Sequence, residues 1–190
     1  MDVALQNVRL SFPSLFEPTS FADQDKKKFQ ANFLMTEEEH GDLLKKLKTA
    51  AKKLAVEKFG DKAGGIPNKN IFLKNGAEKD YDGYGEGTWF ISAKSNRRPV
   101  VVDKDRTPLA AEDGKPYAGC FVNAMIELSA YSNDYGKFVS ASLSGVQFFR
   151  DGEPFGSGAK DPDEMFADIS TETKKDVASE GSDDDAFFKD

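Results

Sequence analysis

The chain has 190 residues, with 33 Asp/Glu against 26 Lys/Arg and only one Cys and one His, a length that suits one domain plus an appendage. The single Cys120 excludes an internal disulfide, and one Cys with one His excludes a structural zinc site built from four Cys/His ligands. No apolar run approaches the roughly 18 residues of a membrane span, and the opening "MDVALQNVRLSF" lacks the basic and apolar regions of a signal peptide, so a cytosolic protein with no membrane contact is expected.

Period-2 patterning starts at once. In "VRLSF" Val8, Leu10 and Phe12 alternate with Arg9 and Ser11, and in "KKFQANFLM" Phe29, Ala31, Phe33 and Met35 alternate with Lys28, Gln30, Asn32 and Leu34. A helix follows. Thr36 and Glu39 make a capping box, Leu43, Leu47, Ala50, Ala51, Leu54 and Phe59 form an apolar stripe, and Gly60 suits the C-terminal cap. Its lysines at 45, 46, 48, 52, 53 and 58 read as a solvated face, and His40 in the polar first turn is expected to be solvent-exposed.

Residues 60–87, rich in Gly, Asn and Asp and carrying Tyr81 and Tyr84, read as a loop. "TWFISAK" then sets Trp89, Ile91 and Ala93 against Phe90, Ser92 and Lys94. Residues 96–119 read as a second loop, a short apolar run framed by prolines. "CFVNAMIELSAY" sets Cys120, Val122, Ala124, Ile126 and Leu128 against Phe121, Asn123, Met125, Glu127, Ser129 and Tyr131, and "YSNDYGK" is a hairpin turn. In "FVSASLSGVQFF" Val139, Ala141 and Leu143 alternate with serines until Gly145, where a bulge resets the phase before Val146 and Phe148. Five half-buried strands argue for antiparallel pairing. The expected fold is mainly β with one or two helices: an OB-fold, a five-stranded Greek-key barrel with insertions. A β-sandwich fits the same pattern.

The last segment differs in composition. Residues 161–190 hold 11 Asp/Glu against 3 Lys, a net of −8, leaving 22 acids against 23 Lys/Arg in residues 1–160. The division expected is a binding domain over 1–160 and an acidic tail over 161–190. The tail's apolar residues are isolated, so it cannot offset the entropy of ordering and is expected to be disordered from about Pro162. Such charge asymmetry marks an interaction tail.

Catalytic chemistry finds little support. Nucleophile–base arrangements need a His or an equivalent base, and the one His lies on a polar helical turn. Cys120 opens a strand on its apolar face and reads as a small core residue. Asp80, Asp82 and Glu86 in "DYDGYGEG" lack the ligand spacing of a calcium loop, and "GYGEG" is not a dinucleotide fingerprint. No catalytic residue, cofactor or metal is expected; a metal-dependent nuclease built on Asp80, Asp82 and Glu86 stands as an alternative.

The outward strand faces carry a different signal. Arg9, Lys28 and Gln30 lie on the outward side of the first two strands. Phe90 and Lys94 share a face, with Arg97 and Arg98 at its end. Phe121, Asn123 and Tyr131 share another, with Tyr135 and Lys137 in the adjoining turn. Single-stranded nucleic acid needs this mixture, because phosphates want mobile cations and unstacked bases want flat rings, at about 1–3 kcal/mol per stacked base. Two bland readings compete: the rings extend the core in a second layer, or the domain binds only protein.

Four blocks carry a family resemblance. "VRLSFPSLFEP", "FISAKSNRRPVVVD", "YAGCFVNAMIELSAY" and "GVQFFRDGEPFGSG" resemble, in order and spacing, the single-stranded DNA-binding proteins of tailed bacteriophages, a group long filed as a phage family of unknown function. The resemblance covers nearly the whole body. It implies an OB-fold, binding of single-stranded DNA with little sequence preference during phage replication or recombination, and residence in the host cell cytoplasm. "SDDDAFF" is similar to the acidic, Phe-ending tails of bacterial and phage single-strand binding proteins. It implies that Asp183, Asp184, Asp185, Phe187 and Phe188 dock on replication or recombination proteins, although here Lys189 and Asp190 follow the rings. The chain is also compatible with a homo-oligomer.

Overall fold

β1 (Asp2–Thr19) pairs with β2 (Lys28–Thr36) along one edge and with β6 (Phe121–Asn133) along the other. Reaching both partners, it bends, and the bends fall at register shifts near Asn7 and between Ser11 and Ser14. Asn7 (φ 52°) and Phe12 (φ 46°) take left-handed backbone there, as bulged strands do. This computed structural model describes residues 1–20 and 26–156.

The remaining elements are α1 (Glu37–Phe59), β3 (Leu73–Asn75), β4 (Thr88–Ser95), β5 (Val100–Val102) and β7 (Gly136–Arg150), with 3-10 turns at Gly60–Gly65, Asn68–Asn70 and Ala111–Asp113. The sheet order is β3-β4-β2-β1-β6-β7-β5, and a parallel pairing of Ala93 with Ala141 and Lys94 with Ser142 joins β4 to β7. That pairing closes β4, β2, β1, β6 and β7 into a five-stranded barrel with one helix, the OB architecture. β3 and β5, three residues each, extend it from the two segments whose composition suggests loops.

Alternation along β2, β4, β6 and β7 sends one set of side chains inward. Leu5, Val8, Leu10, Phe33, Ile91, Val122, Ile126, Leu128, Val139 and Phe148 are fully enclosed, each such side chain contributing ~1.5–3 kcal/mol. Cys120 is in this core, where burial pushes its thiol up to about 11. β6 and β7 form a hairpin that slips register between Met125 and Ile126, opposite Gly145 and Leu143, so the phase is reset at the glycine as its position suggests.

α1 starts at Thr36, whose hydroxyl accepts from Glu39 N–H, and stops at Gly60. It buries Leu44, Leu47, Ala50, Ala51 and Ala55 rather than a stripe centred on Leu43 and Leu54, which are half-buried. The backbone departs from helical geometry at His40 (φ −122°, ψ 19°), rotating the face that follows. His40 itself is buried, contrary to the exposure its polar surroundings suggest. Its Nδ1 accepts from Thr36 N–H at 3.3 Å and its Nε2 bonds the Asn7 carbonyl at 3.1 Å, tying the helix start to the β1 bend.

Candidate nucleic-acid interface

Outward positions on the closed side of the barrel carry small residues in rows. Asn32 pairs with Ser92, Lys94 with Ser142, and Ser129 with Ser140. Serines leave the surface low, while longer side chains stand along the margins. The result is a cleft of about 640 Å³ lined by Lys28, Lys69, Lys74, Lys94, Arg97, Tyr131 and Phe138 beside the serines. Tyr131 and Phe138 are cross-strand partners whose rings stack, with centroids 5.4 Å apart and planes 16° from parallel.

The cleft opens into an aromatic nook of about 260 Å³; Lys74, Ser92 and Lys94 line both. Phe12, Tyr81 and Tyr84 form the nook's walls. Tyr81 meets Phe12 edge-on at 5.1 Å and Tyr84 at 5.7 Å, and Tyr84 meets Phe90 at 5.2 Å. A polar chain fixes Tyr84: Asn32 Nδ2 donates to its hydroxyl at 2.9 Å, and Ser92 Oγ donates to Asn32 Oδ1 at 2.7 Å. The loop bearing both tyrosines is held at Asp82, whose carboxylate accepts from Gly156 N–H at 2.7 Å. Gly83, at φ +80°, lies where a Cβ would strike the Phe155 ring.

Among the described residues, cleft and nook together are lined by six cations and no carboxylate. The ion pairs among the described residues, Asp42 with Lys45, Lys53 with Glu57 and Asp103 with Lys115, lie elsewhere. A nearly neutral body thus concentrates positive charge on one side. Burial, then the charges of Lys94 and Lys79, hold the Lys74 ammonium below its ordinary pKa. An anion placed among these lysines relieves that repulsion.

The cleft and nook bring together six of the residues picked out from sequence, Lys28, Gln30, Phe90, Lys94, Arg97 and Tyr131. Phe90 is only 5% exposed, beneath Tyr84, so it supports the nook and is not the open platform its strand phase suggests. Tyr135 stands on the adjoining hairpin tip, 88% exposed. Lys137 donates to the Lys62 carbonyl at 3.3 Å beside the Phe59 ring, and Arg98 lies over the Phe16 ring. Arg9, Phe121 and Asn123 do not line the cleft. Arg9 donates to the carbonyls of Gly119 and Glu153, and Phe121 lies 3.4 Å from the Arg150 guanidinium. Asn123 bonds Asn7 and Gln147. These three fasten the start of β6 to β1 and β7.

Sequence reasoning passed over Phe12, Lys69, Lys74, Lys79, Tyr81, Tyr84 and Phe138. One signal was present for Phe12: Pro13 follows it inside a strand, and a strand proline marks a bulge. Asp183, Asp184, Asp185, Phe187 and Phe188 lie outside the described residues. For the nuclease alternative, Asp82 is engaged as above, and no group of three or more His, Cys, Asp or Glu side chains suited to a metal occurs among the described residues. No helix among the described residues is long and apolar enough to cross a membrane.

Comparison with known proteins decides the family. The model of the family described as the ssDNA-binding protein of Enterobacter phage Enc34 matches residues 1–178. The chain belongs to this family. A relative, protein p50 of Acyrthosiphon pisum secondary endosymbiont phage 1, is 45% identical over 177 residues, 90% of this chain and 95% of its own. Among solved structures, the single-stranded DNA-binding protein from bacteriophage Enc34 in complex with ssDNA is 29% identical with a TM-score of 0.73, covering 82% of this chain and 89% of that one. The gp2.5 single-stranded DNA-binding protein of bacteriophage T7 shares the fold at 14% identity, with a TM-score of 0.56 and coverage of 94% and 99%.

Proposed function

We propose that this family member binds single-stranded DNA along the cleft and nook, without sequence specificity and without catalysis. The carrying observation is that, among the described residues, six cations and open aromatic rings line the cleft and nook with no lining carboxylate. That face is formed by β2, β4 and the hairpin joining β6 to β7, the surface OB barrels use for oligonucleotides. Phosphates meet the lysines and Arg97, while bases stack on Tyr131 and on the nook's rings. Duplex DNA hides its base faces and gains only the phosphate contacts. The solved complex of the Enc34 relative with ssDNA supports this reading.

A gel-shift titration with single- and double-stranded oligonucleotides tests it. Preference for the single strand is expected, with a slope of log affinity against log salt of about −4 if all six cations meet phosphates. Equal affinity for both forms, or no salt dependence, overturns it. Labelled DNA should stay intact with magnesium present.

The biological setting we propose is coating of single strands during phage replication or recombination in the host cytoplasm, a reading that membership of a phage ssDNA-binding family supports. Residues 161–190 act as a separate recruitment segment, Phe187 and Phe188 filling a partner's apolar pocket and Asp183, Asp184 and Asp185 meeting its basic rim. Protein ending at residue 160 should then still bind DNA but lose co-precipitation with the phage's replication or recombination proteins. Retained co-precipitation refutes this role.

A further inference from the structure

The cleft does not end at β3. Beyond that strand a second groove of about 870 Å³ runs between β3 and α1, and Lys69, Ile71, Lys74 and Val139 line both. The two depressions therefore share one ridge, which carries two lysines. Across the second groove stand Lys48 and Lys52, four residues apart and so neighbours on one helical face, above Ala51 and Ala55, whose small side chains keep the floor low. Among the described residues its four lysines face one lining carboxylate, Glu78.

Lys48 and Lys52 are set apart from the other α1 lysines by lining this groove. Lys45 and Lys53 are matched to carboxylates on their own helix, Asp42 and Glu57. Lys48 and Lys52 have no such partner among the described residues. Lys48 Nζ instead lies 3.9 Å from the centre of the half-buried Trp89 ring, whose Nε1–H donates to Glu37 at 2.7 Å. An unmatched lysine pair and a flat ring, continuous with a cationic cleft, repeat the chemistry of that cleft.

We infer that a single strand longer than the cleft crosses the shared ridge at Lys69 and at Lys74 of β3 and continues along α1, its phosphates held by Lys48 and Lys52. This rests on the cleft binding single-stranded DNA and extends the footprint onto a surface that reading does not include. Continuity with the cleft favours a polynucleotide over the other occupant the groove's charge and apolar floor would accept, an acidic peptide.

The test uses full-length protein and oligo(dT) of about 4 and about 16 nucleotides, the span of OB-fold site sizes. In the Lys48→Gln/Lys52→Gln variant, affinity for the short oligomer should be unchanged. The salt slope for the long one should fall by about 1.4, two single-strand phosphate contacts. A Lys45→Gln/Lys53→Gln variant removes equal charge from the same helix and should leave both slopes alone. In wild type the emission of Trp89, the chain's one tryptophan, should shift with the long oligomer and not the short. An unchanged slope in the first variant, an equal fall in the control, or unmoved emission with long DNA bound overturns the inference. So does loss of binding to an acidic peptide with long-DNA binding intact. Failure of wild type to bind even the short oligomer instead overturns the cleft reading.

Discussion

Replacing Tyr131 and Phe121 separately by Ala distinguishes the two faces on which strand alternation puts aromatic rings. Tyr131 is 42% exposed on the cleft wall, backed by the stacked Phe138 ring. A base on its open side contributes about 1–3 kcal/mol, so Tyr131→Ala should raise the Kd for oligo(dT) about 5- to 150-fold. Loss of the Phe138 partner costs ~0.5–1.5 kcal/mol of stability, which leaves the fold intact. Phe121 lies between the guanidiniums of Arg150, at 3.4 Å, and Arg9, at 5.7 Å, away from the cleft. Phe121→Ala removes two cation–π contacts worth ~0.5–1 kcal/mol each at such exposed sites, together with packing of the half-buried ring. It should therefore lower the denaturation midpoint and leave Kd within about twofold. Fluorescence anisotropy at fixed salt, with urea denaturation in parallel, reads both quantities. Normal affinity in Tyr131→Ala with a large loss in folded Phe121→Ala would place the strand on the opposite face and refute the reasoning.

Lys74→Gln should weaken DNA binding yet raise stability. The folded state holds the Lys74 proton less tightly than the unfolded chain does, so its charge opposes folding below the depressed pKa and stops doing so as pH rises through the unfolded value. DNA should restore that affinity for the proton, seen calorimetrically as proton uptake on binding in alkaline buffer; uptake persisting in the variant contradicts this. Cys120, with its thiol near 11 and wholly buried, should resist thiol reagents at pH 8 until the chain unfolds, and rapid labelling of native protein would count against its core placement. Gly119→Ala puts a side chain at φ +103° and drives its Cβ into the Glu153 carbonyl. The conformation alone costs about 1–3 kcal/mol, so the thermal midpoint should drop by several degrees; an unchanged midpoint would contradict the close approach.

β2, β4, β6 and β7 were legible because each buries one face, so burial writes itself as alternation. β1 was legible only in part. Its bulge puts Ser11 inside and Phe12 outside, reversing the phase just where the nook needs a ring. β3 and β5 are three residues long, too short for any period to show, so Lys74 within β3 and Lys69 in the turn before it looked like loop residues. The cleft depends on β4 pairing with β7, residues 93 and 94 meeting 141 and 142, a long-range contact with no local pattern. Lys28, Lys94, Arg97 and Tyr131 could be picked out one by one, but their convergence could not. Arg9 and Phe121 looked equivalent to them because outward direction along a strand does not reveal which side of a closed barrel it faces.

Photocrosslinking tests the central claim most directly. Full-length protein is irradiated with a bromodeoxyuridine-substituted single strand, and the adducts are mapped by mass spectrometry. Adducts on Tyr131, Phe138, Tyr81, Tyr84 or Phe12 are the predicted result. Adducts confined to Phe121 and Phe155, with the cleft rings untouched, would contradict it.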